Sequence, residues 1–198
     1  MNSFDPFTLR FYAEETPTYI ASGSFGEYRY LGPFLQRLPA GASILELGCG
    51  GGDNASFMVD RGFAVEPTDG VAEIAAIAEH RLRRAVRTLR FDELEAVESY
   101  DAVVAVASLL HVPRAGLRHI LRKVWRAIKP GGWHLASFKA GGTEGRDRFG
   151  RYFNYLSAEQ AETAYLEAAD WASIEIESYV SGGYEGGQGP WIKLIAKK

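Results

Sequence analysis

Short apolar runs alternate, through most of the chain, with longer stretches whose apolar positions recur every three to four residues. The first pattern belongs to buried strands and the second to helices with one inward face. Runs at 43–47, 63–66, 86–91, 100–107, 133–138, 173–180 and 191–196 predict strands. Helices are predicted over about 25–38, 53–61, 71–84, 114–128 and 157–169. In the first of these, Tyr28, Leu31, Phe34, Leu35 and Leu38 share a face; in the third, Val71, Ile74, Ala75, Ala78 and Leu82 do. Asp53 or Asn54 is expected to cap the helix over 53–61, Gly62 to close it, and Ser157 to cap the last one. Lys129, Pro130, Gly131 and Gly132 read as a helix stop and tight turn. Strand–helix alternation ending in two consecutive strands predicts a doubly wound, mostly parallel α/β sheet with an antiparallel edge. One domain over 1–198 accounts for all of it.

The first 40 residues break this rhythm. Phe4, Phe7, Phe11, Tyr12, Tyr19, Phe25, Tyr28 and Tyr30 crowd a stretch interrupted by Pro6, Pro17 and Gly23, so short helical pieces are expected. The rings either pack on the core or form an arm that covers a ligand, where Tyr12 and Tyr19 would meet a substrate. Composition adds exclusions rather than direction. Apolar residues make 46% of the 198, charged residues 24%, and net charge is −3, so nothing global marks a nucleic-acid or membrane binder. The arginines at 81, 83, 84, 87 and 90 stand beside the acidic segment 92–99, which argues against a nucleic-acid surface. Cys49 is the only cysteine, so no intrachain disulfide forms. The start of the chain lacks a basic segment followed by an apolar core, and a soluble cytoplasmic protein is the expectation.

In such a sheet, ligands bind beyond the carboxyl ends of the strands. Three features fall there. Gly48, Cys49, Gly50, Gly51 and Gly52 follow the first strand, a turn that lets backbone approach a ligand closely. Asp69 and Gly70 follow the second, with Asp69 placed 21 residues after Gly48, about where an acid holds ribose hydroxyls. Phe91 and Asp92 follow the third, positioned for an adenine ring. The charges select among adenosine ligands. A dinucleotide fingerprint would carry glycine where Asp53 stands, and Asp53 with Glu46 disfavours a pyrophosphate at the helix start. No lysine–Ser/Thr pair closes the glycine run, so it is not a P-loop. A ligand without phosphate that carries an ammonium and a sulfonium fits better.

These residues resemble a known family. The segment 44–52 is similar to the first motif of class I S-adenosylmethionine-dependent methyltransferases, and 65–70 to their second, with Pro67 as a departure inside it. Segments 100–112 and 121–138 resemble the fourth and fifth motifs, and the small tellurite-resistance-type enzymes are the nearest group. The resemblance implies a seven-stranded sheet in the order 3-2-1-4-5-7-6, its last strand antiparallel. It implies S-adenosyl-L-methionine as cofactor and a small-molecule methyl acceptor. Glu46, Gly48, Cys49 and Gly50 would then hold the methionine moiety, Asp69 and Gly70 the ribose, and Phe91 and Asp92 the adenine, with Ala107 beside them.

His111 follows the fourth strand, next to the expected methyl-donor position, and is the candidate catalytic base; a structural histidine bonded to a loop carbonyl is the alternative. Arg146, Asp147, Arg148, Arg151 and Tyr152 follow the fifth strand, with Arg146 and Tyr152 as candidate substrate contacts. An arginine there pairs either with an anionic substrate or with an internal carboxylate. No metal site is expected, and the oligomeric state is open. Two competing functions remain at this level, a nicotinamide-dependent oxidoreductase and a non-catalytic cofactor-binding module.

Overall fold

A computed structural model describes residues 3–22, 28–184 and 186–198. Phe25 and the side chain of Tyr28, both expected in the covering arm or its helix, lie outside the described residues. Two short helices open the chain, α1 (Pro6–Glu14) and α2 (Thr16–Ala21), followed by α3 (Tyr28–Leu35). The alternating part runs β1 (Ser43–Leu47), α4 (Asp53–Val59), β2 (Ala64–Asp69), α5 (Ala72–Leu82), β3 (Arg87–Thr88), β4 (Tyr100–Ala105), α6 (Arg114–Ala127) and β5 (Ile128–Lys139). A two-stranded hairpin, β6 (Gly145–Arg146) and β7 (Tyr152–Phe153), precedes α7 (Ala158–Ala168), β8 (Ser173–Gly182) and β9 (Gln188–Lys197).

The seven-stranded sheet has the order β3-β2-β1-β4-β5-β9-β8. Counting only its own strands, this is 3-2-1-4-5-7-6, with β9 antiparallel to both neighbours, as expected. Alternate residues of the central strands face opposite layers. Leu45, Leu47, Val103 and Ala105 join the core beneath α6 and α7, while Ile44, Ala102 and Val104 join the one formed with α3 and α4. Leu31, Phe34 and Leu35 of α3 are buried in that second layer as the periodicity predicts; Leu38 is buried there too, but the helix expected to reach it ends at Leu35.

Three further boundaries differ from the sequence reading, each for a physical reason. The strand expected at 86–91 shrinks to two exposed residues at the sheet edge, and Phe91–Glu93 turn into a short 3-10 helix. The strand expected to stop at Glu66 continues through Pro67 to Asp69. Thr68 turns its carbonyl toward the Gly48 and Cys49 N–H groups, and Asp69 turns its own the other way, toward Leu89. Pro67 therefore faces the outer side, where β3 begins only at Thr68 and no N–H is required. The turn expected at 129–132 is instead a bulge within β5: Asp101 alone stands opposite those four residues, and Gly131 and Gly132 bond to Lys198. Among the described residues, no helix is long and apolar enough to cross a membrane.

Candidate active site

The carboxyl ends of β1, β2, β4 and β5 open into two adjoining cavities. One, of about 730 Å3 and partly open, is bounded by Asp69, Gly70, Val71, Ile74 and Phe91 from the sheet side and by α1 from above. The other, of about 950 Å3, runs over the glycine turn toward Lys139, Arg151, Phe153, Tyr184 and Trp191. Tyr12, Tyr19, Gly48, Gly50, Ala107 and His111 line both and mark where they meet.

The turn is shaped by contact. Gly48 has φ +77°, and a Cβ there would stand 2.5 Å from the Ser108 Cβ, whose hydroxyl donates to the Leu47 carbonyl. Helix α4 begins from Gly52 in the left-handed region, not from an Asp53 or Asn54 cap, which corrects the expected start by one residue. Asp53 is instead ion-paired with Arg81 at 2.9 Å, so a cation does stand beside the turn. The expectation that Asp53 repels a phosphate at the helix start therefore does not hold, its charge being matched by Arg81.

Glu46 is buried, and its Oε2 has no partner among the described residues; neither has the Oδ1 of its neighbour Asn54. Burial, reinforced by the nearby Asp69 charge, pushes the Glu46 carboxyl up to about 8 against the pull of a bond from Asn54. Glu46 lines neither cavity, lying behind the glycine turn, whereas Asn54 faces the larger one. The orphaned Asn54 Oδ1 facing the cavity is an acceptor that a ligand ammonium, a donor without lone pairs, would satisfy, with Glu46 buried behind it. Asp69 does face its cavity. Its Oδ2 accepts from the Gly50 N–H and its Oδ1 from the Val71 N–H, both at 3.0 Å, and burial outweighs these bonds to raise its carboxyl to about 6. That ties β2 to the glycine turn and leaves further acceptor capacity toward the cavity.

His111 is held at both nitrogens. Nδ1 faces the Tyr152 carbonyl at 2.7 Å and must carry the hydrogen, so Nε2 accepts from the Tyr12 hydroxyl at 2.9 Å. Burial depresses the imidazole to about 3, and it is neutral. Tyr12 in turn accepts from Arg151 Nη1 at 2.8 Å, and Arg151 donates twice to the Asp147 carboxylate, at 2.9 and 2.7 Å. Burial lifts the Tyr12 hydroxyl to about 12.

Most expected site residues converge here: Gly48, Cys49, Gly50, Asp69, Gly70, Phe91, Ala107, His111, Tyr12 and Tyr19 all line one cavity or both. Cys49 is buried with its thiol pushed up by burial, so it contributes shape rather than a nucleophile. Asp92 is turned to Arg90 at 3.1 Å and lines neither cavity. The same holds for Arg146, paired with Asp5 at 2.7 Å, and for Tyr152, whose hydroxyl bonds to Glu144 and Arg114 while only its carbonyl reaches the site, through His111. Both arginines of the 140–152 loop with resolved pairs have thus taken internal carboxylates. Lys139, Phe153, Tyr184 and Trp191 were not expected as site residues, and Arg151 was expected only as one arginine of the loop after the fifth strand. Lys139 was legible, ending a strand as Asp69 does; Tyr184 and Trp191 arrive from the antiparallel edge, which the strand-end rule does not cover.

Comparison with known proteins agrees with this architecture. Residues 44–132 match the family model described as a methyltransferase domain. A ubiquinone biosynthesis O-methyltransferase of Pseudomonas savastanoi pv. phaseolicola is 35% identical over 100 residues, covering 47% of this chain and 42% of that protein. The chain thus matches less than half the length of that relative. Among solved structures, phosphoethanolamine N-methyltransferase 2 of Haemonchus contortus, crystallised with phosphomonomethylethanolamine and S-adenosylhomocysteine, superposes with a TM-score of 0.79 at 16% identity. That match covers 98% of this chain and 60% of the other. The [4+2]-cyclase SpnF superposes with a TM-score of 0.72 at 19% identity, covering 100% and 99%. The fold is therefore the α/β fold of S-adenosylmethionine-dependent methyltransferases, and it also serves an enzyme named for a different reaction.

Proposed function

We propose that this chain is an S-adenosylmethionine-dependent methyltransferase acting on a small-molecule acceptor. The observation that carries the reading is the junction of two cavities under Tyr12 and His111. One ends in a buried acid and an aromatic ring suited to adenosine; the other has Asn54, with its unclaimed Oδ1, at one end and a ring-lined chamber at the other. Asp69 would take the ribose hydroxyls, Phe91 would meet adenine, and the backbone of Gly48 and Gly50, with Asn54 and the charge of Glu46 behind, would take the methionine end. Bound there, the cofactor supplies an electrophilic methyl group on sulfonium.

The protein's contribution is alignment and exclusion of water. A transfer of this kind requires nucleophile, methyl and sulfur in line, and positioning alone supplies much of the rate. Arg151, Tyr12, His111 and the Tyr152 carbonyl form one hydrogen-bonded row across the junction, which fixes the Tyr12 hydroxyl beside the acceptor. His111 holds that hydroxyl through Nε2 and touches an acceptor proton only through it. The resemblance to tellurite-resistance-type enzymes belongs with this reading as its narrower form. Incubation with methyl-labelled donor and a set of small phenols, amines and thiols tests the proposal. Transfer to any of them is the expected result. Tight S-adenosylhomocysteine binding with no acceptor labelled would favour a binding module or a non-methylating enzyme on this fold.

A further inference from the structure

The acceptor chamber contains an aromatic box that the chain fills with its own cation. The Arg151 guanidinium carbon lies 5.2 Å from the ring centre of Phe11, 5.5 Å from Tyr12, 5.7 Å from Phe149, 5.3 Å from Phe153 and 5.0 Å from Tyr184. Those rings come from α1, the loop inside the β6–β7 hairpin, β7 and the β8–β9 connection, four segments brought together by tertiary packing. Arg151 and its carboxylate partner Asp147 have side chains only 2% and 1% exposed. Five ring faces and one buried carboxylate make a receptor for a cation, since the ring quadrupole and the carboxylate both attract positive charge.

We propose that Arg151 is a specificity-determining plug: by occupying this box, it excludes positively charged acceptors and reserves the chamber for neutral or anionic ones. Two facts give the plug its direction. Asp147 is already taken, with Arg151 donating to it and to Tyr12, so an ammonium entering the box would have to displace Arg151 to reach that carboxylate. Lys139 stands on the same wall, its Nζ 4.6 Å from the Phe153 ring, so a second cation of the chain already occupies ring surface there. The phosphoethanolamine enzyme that shares the fold is named for an amine acceptor; a plugged box would bar this chain from that class when the amine is charged. The inference deepens the methyl-transfer reading and rests on it for calling the chamber an acceptor site.

The test uses tetramethylammonium as a cation probe, titrated by NMR or calorimetry into the full-length wild type and into Arg151→Ala. The wild type is expected to show no binding. Arg151→Ala, with the box emptied and Asp147 left to attract the probe, is expected to bind it at least about tenfold more tightly, the factor a desolvated cation–π site supplies. Equal binding by both proteins, or by neither, overturns the plug. Should Arg151→Ala fail to fold, Arg151→Ala/Asp147→Asn removes the buried lone charge, empties the box, keeps the five rings and is held to the same outcomes. S-adenosylhomocysteine binding by the wild type is measured alongside. Its absence would defeat the methyl-transfer reading while leaving the tetramethylammonium result to decide the plug.

Discussion

Asp69 faces the smaller cavity, and its two oxygens are already used once each by backbone N–H groups. Ribose hydroxyls would meet its remaining lone pairs as charge-assisted bonds, so Asp69→Ala is expected to weaken S-adenosylhomocysteine binding by about 1–3 kcal/mol. Calorimetry on the two proteins checks this; equal affinities would mean that the ribose is held elsewhere. Glu46 lends itself to a pH test. Its folded-state carboxyl is held at about 8 by burial, against an ordinary value of 4.5, and Asp69 is raised in the same direction, to about 6. Between those values the folded protein binds more protons than the unfolded chain, so stability of the empty protein is full below the ordinary value and falls as pH rises through about 8. Buried His111 and His134, both depressed, act in the opposite direction up to about pH 6.5, so urea unfolding at pH 5 and pH 8 is compared between the wild type and Glu46→Gln, and the wild type should lose more stability, or gain less, over that range than the variant. An equal change in the two proteins would contradict the burial of an uncompensated Glu46. For His111, neutral and depressed to about 3, no limb near pH 6.5 is expected in kcat/KM; a limb there that vanishes in His111→Ala would restore it as a direct base.

At the level of elements, the β1–α4 turn and the α1 strap set the site. Gly48 cannot carry a side chain, because its backbone is left-handed and Ser108 stands where the Cβ would go. Gly48→Ala is expected to cost at least about 1–3 kcal/mol in unfolding free energy and to abolish cofactor binding. Gly62→Ala, with comparable φ but open space around it, is the control and should cost no more than about 1–2 kcal/mol. Chemical denaturation of both separates strain from collision. Helix α1 is capped by Asp5, which accepts from the Thr8 N–H at 2.8 Å, while the Thr8 hydroxyl accepts from the Tyr152 N–H at 2.8 Å. Asp5→Ala should loosen α1 by about 1 kcal/mol, visible as faster amide exchange confined to residues 6–14. Arg146→Ala removes only the half-exposed end of the Asp5 pair and should change stability by about 0–1 kcal/mol.

For the molecule as a whole, the sheet order, the strand-end residues that line the cavities and the inward helix faces were legible because each follows from period or from position at a strand end. Leu31, Phe34 and Leu35 fell where a 3.6-residue repeat puts them, and Asp69 where the second strand ends. The ring-lined chamber was not legible for a different reason. Arg151 was visible only as one of several charges in a glycine-rich loop; its meaning comes from five rings delivered by segments up to 173 residues apart in sequence, Phe11 and Tyr184 being the extremes. Arg146 looked equivalent in sequence and turned to Asp5 instead, a pairing that depends on how α1 lies over the loop. Strand ends are local facts, whereas chamber walls are assembled by tertiary packing. The division of the site into an adenosine half and an acceptor half is most directly tested by calorimetric titration of the full-length protein with S-adenosylhomocysteine and, separately, with NAD. The expected result is saturable binding of S-adenosylhomocysteine that NAD does not compete. Tight NAD binding with no affinity for S-adenosylhomocysteine would contradict it.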